Sequence, residues 1–187
     1  MNHGNHRIEL VDAPNRTDHS LGPDHAPVVL VEYGDYECST CKQAAPVVEQ
    51  LRQRFEEQVR FIFRHFPLID AHSHALAAAE AAECAGGQGK FWEMHALLFE
   101  HQTHLDLEHL LRYGADLGLD VARYTAEIDD EVYRQRVLEH IDSGKRSGVR
   151  GAPTFFLNGR FVDVSFGLHS LSDAVEGALH ARRGRAV

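Results

Sequence analysis

Only three of the 187 residues are cysteine, too few for the even and larger set that staples a small secreted fold. Long apolar runs are missing as well. None approaches the roughly 18 residues of a membrane-spanning helix, so no membrane is expected as a partner. The stretch Met1-Asn2-His3-Gly4-Asn5-His6-Arg7 lacks the apolar core of a signal peptide, and the sequence as it stands reads as cytoplasmic. A trimmed chain would instead belong outside the cytoplasm. Basic residues number 19 against 28 acidic ones, a net charge of −9, and no dense basic stripe offsets phosphates. This excludes nucleic acid as a general partner. The one basic cluster, Arg182-Arg183-Gly184-Arg185, lies at the very end and reads as a frayed tail. There is no glycine-rich phosphate loop, no Gly-x-Ser-x-Gly and no nucleotide fingerprint.

What is present suffices for a core: 43% hydrophobic and 25% charged residues fit one domain, or one domain with a sizeable insertion. Residues 1–27 are polar and proline-punctuated, an irregular arm with at most a short edge strand at Ile8 to Val11. Val28 to Tyr33 is nearly continuously apolar and β-branched, as in a strand covered on both faces. Ala44, Val47, Val48, Leu51 and Phe55 then recur at helical spacing to about Glu57, with Pro46 expected to kink the axis near Lys42. Val59 to Phe63 reads as a second strand, completing a βαβ unit.

From Pro67 to about Gly148 only helix signals occur. They cover Ala71 to Ala85, the region of Phe91 to Leu98, that of Leu107 to Leu117, and Asp129 to Gly144. Strand signals return at Pro153 to Leu157 and Arg160 to Val162. Asn158-Gly159 between them marks a hairpin, and a last helix starts near Ser170. Strands on both sides of a helical block need a common sheet. The expected organisation is therefore an α/β domain formed by residues 28–66 and 149–187, interrupted by a helical insertion at 67–148.

The chemistry concentrates in Cys38-Ser39-Thr40-Cys41, at a strand-to-helix junction. Such a pair can close a disulfide, hold half a metal site or present a reactive thiolate. Helix-start N–H groups stabilise a thiolate, which makes Cys38 the nucleophile. Cys41, one turn further in, becomes the resolving thiol. Zinc would need two more ligands, and none is near in sequence, so no metal is expected. Cys84, in an alanine-rich helix, reads as a small core residue. The 14 histidines, with the pairs His72/His74 and His101/His104 plus His109, match no dedicated ligand spacing and read as surface or capping groups.

Together these motifs resemble the thioredoxin superfamily and, within it, the DsbA-like thiol–disulfide oxidoreductases. The resemblance rests on Glu32-Tyr33-Gly34-Asp35-Tyr36-Glu37-Cys38, on Cys38 to Lys42 with Pro46 behind, on Phe63-Arg64-His65-Phe66-Pro67-Leu68, and on Gly148 to Gly159. It covers roughly Leu21 to Leu179. It implies a thioredoxin fold with an inserted all-helical subdomain and a redox-active centre that needs no cofactor. Pro153 then matches the cis-proline facing the cysteines, and Ala152 offers backbone groups to an extended substrate beside Ser39 and Thr40. Glu32 matches the buried acid beneath the second cysteine, with a raised pKa and a proton-relay role. The implied partners are protein thiol or disulfide substrates and an electron donor or acceptor such as glutathione or a thioredoxin-type system.

The sequence departs from the family at Ser39-Thr40, where strong oxidases carry Pro-His and thioredoxins Gly-Pro. Without that histidine, and with Asp35 and Glu37 nearby, the expected Cys38 pKa is about 6 to 7.5. That would make a milder couple, favouring reductase or isomerase work over strong oxidation. Two other readings compete: a glutathione-dependent isomerase or transferase of the same fold, disfavoured by retention of both cysteines, and a non-enzymatic metal-binding or chaperone-like module.

Overall fold

The apolar run at Val28–Gly34 forms strand β2, and its neighbours explain why both of its faces are apolar. In the computed structural model, which describes residues 8–184, β2 is the middle strand of a five-stranded sheet of order β1-β3-β2-β4-β5. Expectations for Met1 to Arg7 and for Arg185 fall outside the described residues. The other strands are β1 (His19–Leu21), β3 (Val59–His65), β4 (Thr154–Leu157) and β5 (Arg160–Val162). β2 pairs parallel with β3 across helix α1 (Ser39–Arg54) and antiparallel with β4. The pleat sends Leu30, Phe61, Phe63, Phe155 and Leu157 into one core layer with residues of α1 and of helix α7 (His169–Arg183). Val31, Tyr33, Ile62 and Phe156 enter a second layer on the opposite face.

Helices α2 (Ala75–Gly86), α3 (Phe91–Glu100), α4 (Leu107–Asp116), α5 (Val121–Asp129) and α6 (Arg134–Arg146) all fall between β3 and β4, as an insertion in the α/β domain. α5 is additional to the four helices the periodicity predicts. It starts at a cap, where the Asp120 carboxylate accepts the Arg123 N–H, and α6 consequently begins at Arg134 rather than Asp129. α2 begins at Ala75 rather than Ala71, because Ala71 and His72 donate their N–H groups back to the Leu68 carbonyl in a turn. At the hairpin, Asn158 and Gly159 both have positive φ (48° and 80°), the geometry for which Asn-Gly is suited.

The N-terminal arm is more ordered than its polar sequence suggests. β1 pairs antiparallel with β3 and ends at Gly22 (φ 92°), where a Cβ would come within 2.3 Å of the Val59 carbonyl oxygen. The segment expected as an edge strand, Ile8 to Val11, instead makes one isolated bridge, Glu9 to Arg160. The basic end is also ordered as far as Gly184: α7 runs to Arg183, and the Arg182 guanidinium donates to the Pro27 carbonyl at 2.8 Å.

Buried polar contacts tie arm, sheet and insertion together. The Arg64 guanidinium grips the Asp18 carboxylate with two hydrogen bonds of 2.9 Å, both side chains being 2% exposed, and donates to the Asp12 carbonyl and the Tyr33 hydroxyl. On α2, the Glu83 carboxylate meets His19 Nε2 of β1 and His65 Nε2 of β3, both at 2.9 Å, and Arg136 Nε of α6 at 2.7 Å. His65 is thus buried, and His19 and His140 are half-buried, so these histidines are not surface or capping groups. An interior carboxylate needs partners there, and His19 and His65 supply two of them, while the His140 ring accepts the His65 N–H. Asp18→Ala, which leaves the guanidinium buried and unpaired, is expected to lower the unfolding free energy by about 3–5 kcal/mol in urea titrations. A loss under about 1 kcal/mol, the range of an exposed pair, would show that the arm is not anchored by it.

Candidate active site

Cys38 is the N-cap residue of α1, with extended backbone (φ −79°, ψ 119°), and no side chain caps the helix. Its N–H donates to the Asp35 carbonyl at 3.2 Å, and its own carbonyl accepts the Lys42 N–H at 3.2 Å. Cys41 lies in the first turn, and the two cysteines approach to 3.6 Å. Cys41 is fully buried, whereas Cys38 keeps 8% of its surface in solvent. The Cys38 thiol donates to the Ala152 carbonyl at 3.2 Å, and the Asp35 N–H donates to the Cys41 sulfur at 3.4 Å.

This arrangement separates the two thiols electrostatically. The Cys41 thiol, the N–H groups of Cys41 and Thr40, and the Thr40 hydroxyl all favour the Cys38 thiolate and lower its pKa to about 5, against the opposing effect of burial. The value lies below the expected 6 to 7.5, and the structure gives the reason. The Asp35 carboxylate is engaged by three donors, the Glu37 N–H, the Leu68 N–H and the His72 ring. The Glu37 carboxylate accepts from the His74 N–H. Cys41 goes the other way: its bond to the Cys38 sulfur, its burial and the nearby Glu32 charge hold its proton on.

Glu32 sits on β2, on the same side of the pleat as Leu30, with Phe63 and Phe155 as its cross-strand partners. It is 2% exposed and its Oε1 has no hydrogen-bond partner among the described residues. Burial first, and the Cys38 charge second, push its pKa up to about 8. Facing the pair, the Ala152–Pro153 peptide bond is cis, and the Thr154 hydroxyl donates to the Gly151 carbonyl at 2.7 Å. Ser39 and Thr40 are exposed. Thr40, Ala152 and Pro153 line a groove of about 560 Å³ that continues to Val164 and Leu168.

Three contributors escape a reading of the motif. Asp35 reads as a like charge opposing ionisation, yet it organises the loop through backbone and side chain. His72, from the segment before α2, bonds the Asp35 carboxylate at 2.8 Å, which raises the histidine's pKa. Gln102, in the turn after α3, donates its amide N–H groups to the carbonyls of Tyr36 (2.7 Å) and Cys38 (2.8 Å). No sequence proximity signals these contacts. Among the described residues, one group could hold a metal: His65, Glu83 and His140, with ligating atoms within 4.8 Å of one another. The Arg136 guanidinium already supplies that carboxylate with a cation. Cys84 is fully buried, and its thiol is pushed up to about 12 chiefly by burial.

Two measurements follow from these ionisations. Alkylation of the reduced protein should modify Cys38 alone, with a midpoint near pH 5. A midpoint above about 7, or equal labelling of Cys41, would contradict the geometry. Glu32, with a folded pKa (about 8) above its value of 4.5 in the unfolded chain, contributes stability that is full below pH 4.5 and is lost as pH rises through 8. Glu32→Gln removes that loss. The stability of the variant relative to the natural protein should therefore rise between those pH values, by at most about 1.4 kcal/mol per pH unit. A flat difference across the window would place Glu32 in water.

The Thioredoxin family model matches residues 14–177. Among solved structures, α-DsbA1 of Wolbachia pipientis superposes with a TM-score of 0.80 at 19% identity, covering 93% of this chain and 96% of that one. A thioredoxin-like oxidoreductase from Silicibacter pomeroyi DSS-3 gives 0.75 at 26% identity, covering 89% and 94%. Among curated proteins, the Na(+)/H(+) antiporter NhaA 1 of Salinispora arenicola is 46% identical over 172 residues. That match takes in 92% of this chain but 26% of the antiporter, so the chain spans about a quarter of the length of the curated relatives it matches. The chain belongs to the thioredoxin family, and its fold, with the helical block between the third and fourth strands, is similar to that of the DsbA structures.

Proposed function

We propose that the protein is a thiol–disulfide oxidoreductase that exchanges disulfides with protein substrates through Cys38 and Cys41. The observation that carries this reading is the asymmetry of the pair: Cys38 lies at an uncapped helix start with its pKa lowered to about 5, and Cys41 is buried and keeps its proton. In the reducing direction the Cys38 thiolate attacks one sulfur of a substrate disulfide and the other leaves as a thiolate. Cys41 then gives its proton to Glu32 and attacks the Cys38 sulfur. The second substrate thiolate is released as the protein disulfide forms. In the oxidising direction the same bonds form and break in reverse, and the stabilised Cys38 thiolate is the leaving group.

Glu32 serves as proton relay, since a carboxyl group with a pKa near 8 can be either acid or base at neutral pH. Ala152 and Pro153 dock an extended substrate, with Thr40 along the groove they share and the exposed Ser39 next to it in the chain. Residues 28–66 and 149–187 form the catalytic unit, and residues 67–148 cover and brace it. The electron partner is glutathione or a thioredoxin-type protein. The transport named for the longer NhaA polypeptides is not carried over to this chain.

The direction of exchange follows from the thiolate. Reductase or isomerase work was expected from a pKa of about 6 to 7.5, and the lower value moves the couple toward oxidation. It lies between the general values for thioredoxin (about 7) and for the strong oxidant (about 3.5), which supports an intermediate potential of roughly −180 to −230 mV. In a reducing cytoplasm such a site rests as the dithiol and acts as reductase or isomerase. In an oxidising compartment it acts as an oxidant.

Equilibration with glutathione should return a potential in that range, and one below about −260 mV would restore the purely reducing reading. With a disulfide-bonded protein substrate, Cys41→Ser should accumulate a mixed disulfide and Cys38→Ser should not. Failure of both to trap, with no insulin reduction by the natural protein, would sink the proposal.

A further inference from the structure

The active-site turn is held by a residue far away in sequence, and its contacts are specific. The Gln102 side chain is half-buried, and its amide meets two carbonyl oxygens, those of Tyr36 and Cys38. Because both neighbours are acceptors, the amide nitrogen and not its oxygen must face them, which fixes the orientation of the group. The turn that presents Gln102 is itself fixed. The His104 N–H donates to the His101 carbonyl at 2.8 Å, the Tyr113 hydroxyl donates to the His104 carbonyl at 2.8 Å, and Leu105 is buried. Next to it, Lys42 Nζ donates to the Glu100 carbonyl at 3.0 Å, a second tie between α1 and the end of α3.

We propose that Gln102 is a positioning residue for the exchange reaction, holding the Tyr36 and Cys38 carbonyls so that the start of α1 turns its free N–H groups toward the nucleophilic sulfur. This rests on the proposed thiol–disulfide chemistry. The physical reason is the planarity of the peptide unit: in a trans peptide the C=O and the following N–H point in opposite directions. Fixing the Cys38 carbonyl toward Gln102 therefore fixes the Ser39 N–H on the other side. The same carbonyl accepts the first helical hydrogen bond, from Lys42, so its position also sets that of the Thr40 and Cys41 N–H groups behind it. Those N–H groups are what the thiolate uses. The two carbonyl oxygens carry partial negative charge, and the amide N–H groups offset it. Ser39-Thr40 supplies no cation between the cysteines. The inserted helices thus contribute to the reactivity of Cys38 through two neutral hydrogen bonds.

The test follows the Cys38 thiolate directly, by absorbance near 240 nm and by alkylation rate against pH, in the natural protein and in two variants of similar side-chain size. Gln102→Met keeps the packing and removes both donors. Gln102→Glu puts a carboxylate against two carbonyl oxygens. The midpoint is expected to move from about 5 to about 6 in Gln102→Met, with about tenfold slower alkylation well below the midpoint. In Gln102→Glu it should move further. A residue that only packs would change the melting temperature and leave both midpoints in place. Midpoints within about 0.2 of the natural protein's would overturn the role of Gln102 while leaving the chemistry of the pair intact. An ordinary thiol midpoint in the natural protein would overturn the reactive-thiolate reading itself, whatever the variants do.

Discussion

An α-helix begins with N–H groups that its own carbonyls cannot satisfy, and most helices meet that need with a serine, threonine or aspartate side chain. At the start of α1 the capping position is occupied by Cys38, whose neutral thiol is a poor substitute and donates instead to the Ala152 carbonyl. Once ionised, the same sulfur becomes the acceptor the helix lacks. Much of the surrounding structure removes competitors for those N–H groups. Asp35 and Glu37 are engaged by backbone and side-chain donors elsewhere, and the Glu32 pKa is raised to about 8. The dithiol form can therefore gain a favourable helix-start interaction that a disulfide cannot. A couple whose reduced state is stabilised in this way is the more oxidising one.

The sheet determines which groups can reach the pair. Because side chains alternate along a strand, a shift of one residue in β2 would move Glu32 from the layer that holds the cysteines to the opposite layer. Pairing to β3 and β4 at once fixes that register and sets Glu32 between two phenylalanines. Its high pKa is a consequence of register as much as of residue type.

The parts of this arrangement that were legible in the sequence are those written locally. The apolar run ahead of Cys38, the 3.6-residue spacing behind Cys41 and the Asn158-Gly159 turn each depend on a few adjacent residues. β1 was not legible, because His19-Ser20-Leu21 is too short to show alternation and is held by its pairing with β3. α5 escaped for a related reason: its only fully buried side chain is Tyr124, and the signal for its start is a single cap at Asp120. The acidity of Cys38 exceeds what the sequence suggests because a sequence gives neither the Cys41 thiol's approach to it nor the donors that engage Asp35 and Glu37. Gln102 lies 64 residues from Cys38, and nothing in a chain of letters pairs them. His65 and His140 read as surface groups for the same reason, since the carboxylate that receives His65 belongs to α2.

The Glu83 carboxylate gives the molecule a mechanical property. Groups from β1, β3 and α6 converge on this one side chain of α2, so sheet and helical insertion share a polar junction. Apolar surfaces can slide over one another at little loss, but a buried carboxylate taken from its partners faces a desolvation penalty of several kcal/mol. A small shift of the insertion that separated these groups without admitting water would leave the charge buried and uncompensated. Sheet and insertion are therefore coupled through this one side chain, and loosening either disturbs the groups that the other contributes.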